Sequence, residues 1–572
     1  MKSSESPGQR LRAADLDNPL YYLENMEAVV NWVGHYHGDL LTDDERERLD
    51  GFGRLSVSAR ALLTRMVMRT GELFRVGKLR YPELPEPEPV AMDELTETGW
   101  VEPVERVTID ELFRLFTLAE LRPALAGQLA DLGHSPAMPK GRMKSVLVDY
   151  LREIDLTHWL PHLGNDLVRL GHMPLFDRVR LMFFGNLRQS WSDFVLVELG
   201  YQQYEEVPFT PESRAFQRRE DVDCYLTMHQ CRESLDEGRS VEDVWPQVPA
   251  AMDNAWLTSR RDRLLLELGR QAERQGNREL ALAALAESRH REARLKQLRL
   301  LERMKRFDEA WAIASQWQTR ELGDAEAQGL TRILKRLARK VGEPLPTLPE
   351  APSPDEFLIT APFTGAPVEL AVQQYLWRDH QPVFYVENTL INGLFGLLCW
   401  DVIFAPVPGA FFHPFHVGPA DLTREDFVPR RRELLDAALA NLERDAYRQI
   451  IIETCQRKQG LANPFVNWQV MTDNLLRLAL NCIPAGHLKV LFHRLLSNLK
   501  EHRSGFPDLI RFMPDAANPD QRYEMIEVKG PGDRLQDHQR RWLAFFAQQG
   551  IAARVCYVRW QDASEPVPDS SL

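Results

Sequence analysis

Apolar positions along this chain fall into two patterns, and the change from one to the other divides it. Up to about residue 341 the spacing is helical. Tyr21 to Val33, Glu45 to Gly51 and Ser56 to Met68 predict three helices; Phe74 to Tyr81 predicts a strand, and Met92 to Glu102 a short helix running into another. Helices are then expected from Thr108, over Leu118–Leu125 and over Lys140–Leu151, with a core-like helix through Phe176–Gly200. Leu264–Leu285 and Leu295–Trp317 each read as helix, polar turn, helix, and a Pro-rich linker, Gly342–Pro354, closes this part. Beyond it, Ala371–His380 is helical and Leu390–Phe404 reads as a buried helix. Near the C-terminus apolar residues cluster instead in short runs between turn formers, which predicts strands. Leu509, Ile510 and Phe512 form one strand, Pro514–Asp520 a turn, and Tyr523, Met525, Ile526 and Val528 the next strand; a helix over Gln536–Gln549 and a third strand over Ala552–Val558 follow. The expected fold is multidomain and mainly α, with a C-terminal α/β core.

That C-terminal stretch also carries the candidate chemistry. Side chains two apart on a strand face the same way, so Glu527 and Lys529 project together, while Asp508 stands where the preceding strand begins. Divalent cations such as Mg²⁺ or Mn²⁺ favour carboxylate, carbonyl and water oxygens, which Asp508, Glu527 and the Val528 carbonyl can supply. Lys529 would orient an attacking water and offset charge on phosphoryl oxygens. Gln539, on the following helix, is placed to reach back to the site. Glu387 is read as opening the apolar helix and buried there, where a metal shared with Asp508 and Glu527 would be its partner; a carboxylate satisfied by the helix dipole is the other reading. An exposed Glu-x-Lys can equally be a surface ion pair.

Composition narrows the setting. With 572 residues, 44% hydrophobic and 27% charged, the chain has globular proportions and room for several domains. Its net charge of −13 requires any DNA contact to use local basic patches. One candidate patch is Lys140, Arg142 and Lys144 at a helix N-terminus, where backbone N–H groups already favour phosphate; the Arg-rich stretch Arg260–Arg306 is another. Six cysteines without CxxC pairs argue against a disulfide framework or structural zinc and fit a reducing cytoplasm. No apolar run reaches membrane-spanning length.

Several resemblances follow from these residues. Pro507-Asp508, then Glu527-Val528-Lys529 with Gly530-Pro531, Asp533-Arg534 and Gln539-x-x-Trp542, resemble the virus-type replication-repair nuclease (VRR-NUC) domain of the PD-(D/E)xK, restriction-endonuclease-like superfamily. Lys140-Gly-x-x-Lys144-x-x-Leu147 resembles the SAP duplex-binding module, and the paired helices resemble TPR units. The implied organisation is a lead-in over 1–17, a winged-helix-like domain over 18–105, the SAP-like module over 106–155, a TPR-like array over 156–345 and the nuclease domain over 346–572. In that order the whole resembles the Fanconi-associated nucleases, in a bacterial-type form. The resemblance implies a structure-specific nuclease of phosphodiesterase I type, cutting 5′ flaps and 5′-terminated strands of branched or flapped duplex DNA in interstrand crosslink repair. It places the metal ligands, for a pair of Mg²⁺ or Mn²⁺ ions, on Glu387, Asp508, Glu527 and the Val528 carbonyl, with Lys529 catalytic. A basic position used in some members for a 5′-phosphate pocket is His538 here, leaving Lys500, Arg503 and Arg534 to form that pocket. A four-way-junction resolvase or restriction-like nuclease, and a catalytically silent repeat scaffold, are the alternatives.

Overall fold

The computed structural model describes residues 18–69, 71–104, 106–148, 153–155, 167–189, 191, 203–317, 323–344, 353–363 and 365–561. The expected lead-in over 1–17, residues 192–200 of the helix expected to Gly200, the last residues of Lys140–Leu151 and most of the Pro-rich linker lie outside them; the described part of the helix expected to Gly200 stops at Phe184, where Gly185 turns to a φ of +67°. The chain divides into two compact units, residues 1–201 with 216–226, and residues 202–215 with 227–572.

In the first unit, helices Tyr21–His37, Asp43–Arg54 and Val57–Val67 match the helical periodicity. Thr42 and Glu45 form a reciprocal capping box that fixes where the second begins. The strands differ from expectation. Leu73–Arg75 and Val101–Pro103 do not pair with each other; Leu167–Leu170 lies between them, antiparallel to both. The sheet of the segment expected over 18–105 is therefore completed by a strand from beyond residue 155. Each outer strand is only three residues long, and its inward N–H and C=O groups are satisfied by a segment from beyond the next module. That module, expected over 106–155, has four short helices around buried Leu112, Phe116, Leu121, Leu125, Leu129, Met143 and Leu147. It is tied at its ends by Arg106–Thr108 pairing with Glu153–Asp155.

In the second unit, Ala255–Arg274, Arg278–Glu287, Arg291–Arg303, Phe307–Trp317 and Asp324–Val341 form a helical array, whereas the described residues 167–189 and 191, also expected in an array over 156–345, fall in the first unit and begin with the strand Leu167–Leu170. The array is not a body of its own. Arg291 pairs with Glu501 at 3.4 Å and Arg332 with Asp537 at 3.5 Å, joining it to the C-terminal core. The basic residues of Arg260–Arg306 are largely committed within the protein: Arg261 to Glu287, Arg303 to Glu273, and Arg270 to Glu292 at 2.5 Å.

The core is a mixed five-stranded sheet. Its strands are β1 (Asp355–Ala361), β2 (Val383–Tyr385), β3 (Leu509–Phe512), β4 (Tyr523–Lys529) and β5 (Ala553–Trp560), in the order β1-β5-β4-β3-β2. β5 runs parallel to β1 and β4, whereas β3 is antiparallel to β4 and β2. Helix α1 (Val368–Leu376) covers one face, where Val372 packs with Leu509, Ile526 and Val528. Helices α2 (Leu390–Leu398) and α3 (Asp537–Gln549), with Asp473–Cys482 and Ala485–Ser497, cover the other over Ile510, Phe512, Tyr523 and Met525. Alternation along β4 thus sends Tyr523 and Met525 into the larger core, and Glu527 and Lys529 continue that same face to the strand's end. No single described helix is long and apolar enough to cross a membrane.

Candidate active site

The site is built where β2, β3 and β4 meet. Asp508 stands just before β3 and is held from both neighbouring strands: its carbonyl accepts the Val386 N–H and its Oδ2 accepts the Val528 N–H, each at 2.8 Å. On β4, Lys529 Nζ lies 2.7 Å from Glu527 Oε1. The strand then ends in a turn over Gly530–Asp533, in which Asp533 Oδ2 accepts the Gly530 N–H at 3.0 Å. From α3, Gln539 Nε2 donates to Glu527 Oε1 at 2.5 Å, while its own Oε1 accepts the Gln536 N–H at 2.9 Å. The reach expected of Gln539 is thus present, as the returning half of a helix cap.

These groups are 8% (Asp508), 1% (Glu527) and 8% (Lys529) exposed, and burial sets their electrostatics. Burial first, then the negative charge of Asp508, pushes the Glu527 carboxyl above the ordinary range, against the opposing pull of Lys529. Burial likewise raises Asp508, with Glu387 adding to the rise and the Val528 N–H resisting it. Glu369 on α1, not singled out in the sequence, contributes to the same field. One ammonium does not balance this set of acids.

Glu387 corrects the sequence reading. It is exposed and lies in the turn after β2, before α2 begins at Leu390, so it does not open the helix and is not buried. It is held by two donors that the sequence reading missed. The Tyr385 hydroxyl donates to Oε2 at 2.6 Å and the Asn388 amide to Oε1 at 3.1 Å. The signal was in plain sight, since Tyr385 sits two residues before Glu387 at the end of a strand.

Hard oxygen donors, buried acids raised by one another and a single lysine fit a divalent cation chemically. Among the described residues no group of three His, Cys, Asp or Glu side chains is already gathered at coordinating spacing. The carboxylates share one electrostatic field, and each spends an oxygen on a protein donor.

The remaining predicted residues separate. Arg503 is withdrawn from the expected phosphate pocket: its guanidinium donates to the Pro464 carbonyl, sits 4.6 Å from the Phe465 ring centroid, and is held below its usual range by burial. The cause is local, because Asn392 on α2 pins the Arg503 carbonyl at 2.9 Å and the side chain lies along the core. Lys500 is exposed and acts electrostatically on His290 and Glu292 of the array. Arg534 is exposed in the turn after β4. His538 packs against Gly505, whose φ of +90° and missing Cβ are both required there, since a Cβ would meet the imidazole at 2.6 Å. In the other unit, Lys140 donates to the Phe116 carbonyl at 2.7 Å and Lys144 pairs with Asp110 at 2.5 Å, leaving Arg142 as the exposed cation of the three.

Comparison with known proteins decides the family. The VRR-NUC domain model matches residues 442–560, and the FAN1 HTH domain model matches residues 20–102. The Fanconi-associated nuclease 1 homolog of Pseudomonas aeruginosa is 43% identical over 548 residues, covering 95% of this chain and 97% of that one. The chain belongs to the Fanconi-associated nuclease 1 family. The human family member is 28% identical over 195 residues, 33% of this chain and 19% of that protein. The crystal structure of paFAN1 bound to 2-nucleotide 5′-flap DNA with a gap superposes with a TM-score of 0.81 at 42% identity, covering 96% of this chain and all of that one. As a Fanconi-associated nuclease the protein is a DNA nuclease with an α/β nuclease core. Glu387 and β2 fall outside the matched VRR-NUC residues, and the sheet brings them to Asp508.

Proposed function

We propose that this Fanconi-associated nuclease is a structure-specific, divalent-metal-dependent enzyme that cuts 5′ flaps and 5′-terminated strands near branches. It would act as an endonuclease and as a 5′-to-3′ exonuclease of phosphodiesterase I type, in the repair of interstrand crosslinks in the cytoplasm, on the nucleoid. The observation that carries the reading is the buried Glu527–Lys529 pair beside Asp508, with Gln539 bracing it. The structures of paFAN1 bound to 1- and 2-nucleotide 5′-flap DNA support the choice of substrate.

Glu387, Asp508, Glu527 and the Val528 carbonyl would hold a pair of Mg²⁺ or Mn²⁺ ions. When bound, these would lower the pKa of a coordinated water and neutralise the phosphoryl oxygens. Lys529, fixed by Glu527, holds its ammonium where it can orient the attacking water and offset charge developing on the phosphate. Gln539, donating to Glu527 Oε1, would hold that carboxylate in one orientation. Lys500 and Arg534 are the exposed cations left to grip a 5′ end, and Arg142 contributes a duplex phosphate contact without reading sequence.

Digestion of labelled 5′-flap, splayed and four-way substrates side by side tests the reading. The 5′ flap is expected to be cut fastest. Faster cleavage of the four-way junction would replace the proposal with a resolvase.

A further inference from the structure

Glu387 is a flexible carboxylate on an exposed turn, yet its surroundings leave it little freedom. Tyr385 ends β2 on the face opposite Phe384. Phe384 packs against Phe512 with ring centroids 5.9 Å apart, so the neighbouring residue is anchored in the core and Tyr385 is directed outward. Tyr385 is 43% exposed, and its hydroxyl is spent on Glu387 Oε2. On the other side, Asn388 has a φ of +51°, a backbone conformation that asparagine tolerates better than most residues. That conformation lets its side chain serve two partners: Nδ2 donates to Glu387 Oε1, and Oδ1 accepts the Phe506 N–H at 3.1 Å. Phe506 lies in the segment leading into Asp508. The Asn388 carbonyl is in turn held by Asn392 at 2.6 Å, and the Val386 N–H bonds the Asp508 carbonyl.

We infer that Tyr385 and Asn388 are positioning residues that clamp the Glu387 carboxylate in a fixed place relative to Asp508, so that it can serve as a ligand for a divalent cation. The inference rests on the metal-dependent reading above. Two donors, one to each oxygen, select a single rotamer before the cation arrives, and each oxygen keeps a lone pair for it. Donors behind a ligating carboxylate set its orientation and basicity, and their loss commonly weakens metal binding by about tenfold or more. The same clamp couples Glu387 to Asp508 through backbone and Asn388 contacts alone, without a bond between the two carboxylates.

Mn²⁺ binding to the full chain, read by the free-ion electron paramagnetic resonance signal in the absence of DNA, tests this. Tyr385→Phe keeps the ring and removes only the hydroxyl; Asn388→Gly keeps access to positive φ and removes only the amide. Each is expected to weaken Mn²⁺ binding by about tenfold, with flap-DNA affinity in EDTA unchanged and cleavage restored by raising Mn²⁺. Glu387→Gln and Asp508→Ala serve as references. If these two weaken Mn²⁺ binding while Tyr385→Phe and Asn388→Gly bind as wild type, the clamp is wrong and the metal site stands. If Glu387→Gln and Asp508→Ala also bind as wild type, the metal-site reading fails, and the clamp with it.

Discussion

Gln539 and Glu527 are joined across the gap between α3 and β4 at 2.5 Å, and the same glutamine closes the cap of its own helix through the Gln536 N–H. One side chain therefore fixes both the start of α3 and the rotamer of the most deeply buried acid in the site. The link ties the helix N-terminus to the candidate active site.

Gln539→Ala should consequently lower the single-turnover rate on a 5′ flap by about tenfold and cost about 1 kcal/mol of stability from the lost cap. Gln539→Glu separates the two effects. It can still accept the Gln536 N–H, but it places a like charge against Glu527, so its melting temperature should stay closer to wild type while its rate falls below that of Gln539→Ala. Equal rates for the two variants would show that the glutamine acts only as a cap.

Arg503→Ala is expected to be a stability variant. Its guanidinium lies on Phe465 and bonds the Pro464 carbonyl, and removal should cost about 2 kcal/mol, read as a shift in urea midpoint. Discrimination between 5′-phosphate and 5′-hydroxyl flaps should be unchanged in Arg503→Ala and reduced in a Lys500→Ala, Arg534→Ala double variant. Loss of discrimination in Arg503→Ala, with stability intact, would restore it to the phosphate pocket.

The three cations of the SAP-like module should behave differently from one another. Arg142→Ala should weaken duplex binding equally for unrelated sequences and reduce the salt slope by about one. Lys140→Ala should instead lower the melting temperature, because its ammonium holds the Phe116 carbonyl inside the module. Salt-dependent binding isotherms beside melting curves distinguish the two. A slope change in Lys140→Ala equal to that of Arg142→Ala would show that its bond to Phe116 does not hold in solution.

Much of the site was legible because its grammar is local. Alternation over Tyr523–Lys529 placed Glu527 and Lys529 on one face, and the Gly530-Pro531 stop with the helical spacing of Trp542, Leu543 and Phe546 placed Gln539. What was not legible depends on pairing between distant segments. β1 is an edge strand with mostly exposed side chains, and its place is set by β5 at the far end of the core. β2 is three residues long and gains its meaning from β3. Leu167–Leu170 likewise reads as any short apolar run until Leu73–Arg75 and Val101–Pro103 flank it. The apolar run after Glu387 is so continuous that the sequence reads it as the start of a buried helix. The chain turns at Asn388 first, and the carboxylate stays outside. Counting charge overstates the free basic surface for a related reason: Arg261 and Arg503 are spent inside the fold, and Arg303, though exposed, is paired with Glu273.

Under the proposed function, Asp508, beside Glu527 and Lys529, is needed for chemistry and not for holding DNA. The most direct test is to measure cleavage and gel-shift affinity of wild type and Asp508→Ala on one 5′-flap duplex, each with Mg²⁺ and with EDTA. Wild-type cleavage should require Mg²⁺, and Asp508→Ala should cut at no detectable rate while binding the flap within about twofold of wild type, since phosphate contacts elsewhere supply most of the affinity. Cleavage by wild type in EDTA, or by Asp508→Ala at near wild-type rate in Mg²⁺, would overturn the metal-dependent reading of this site.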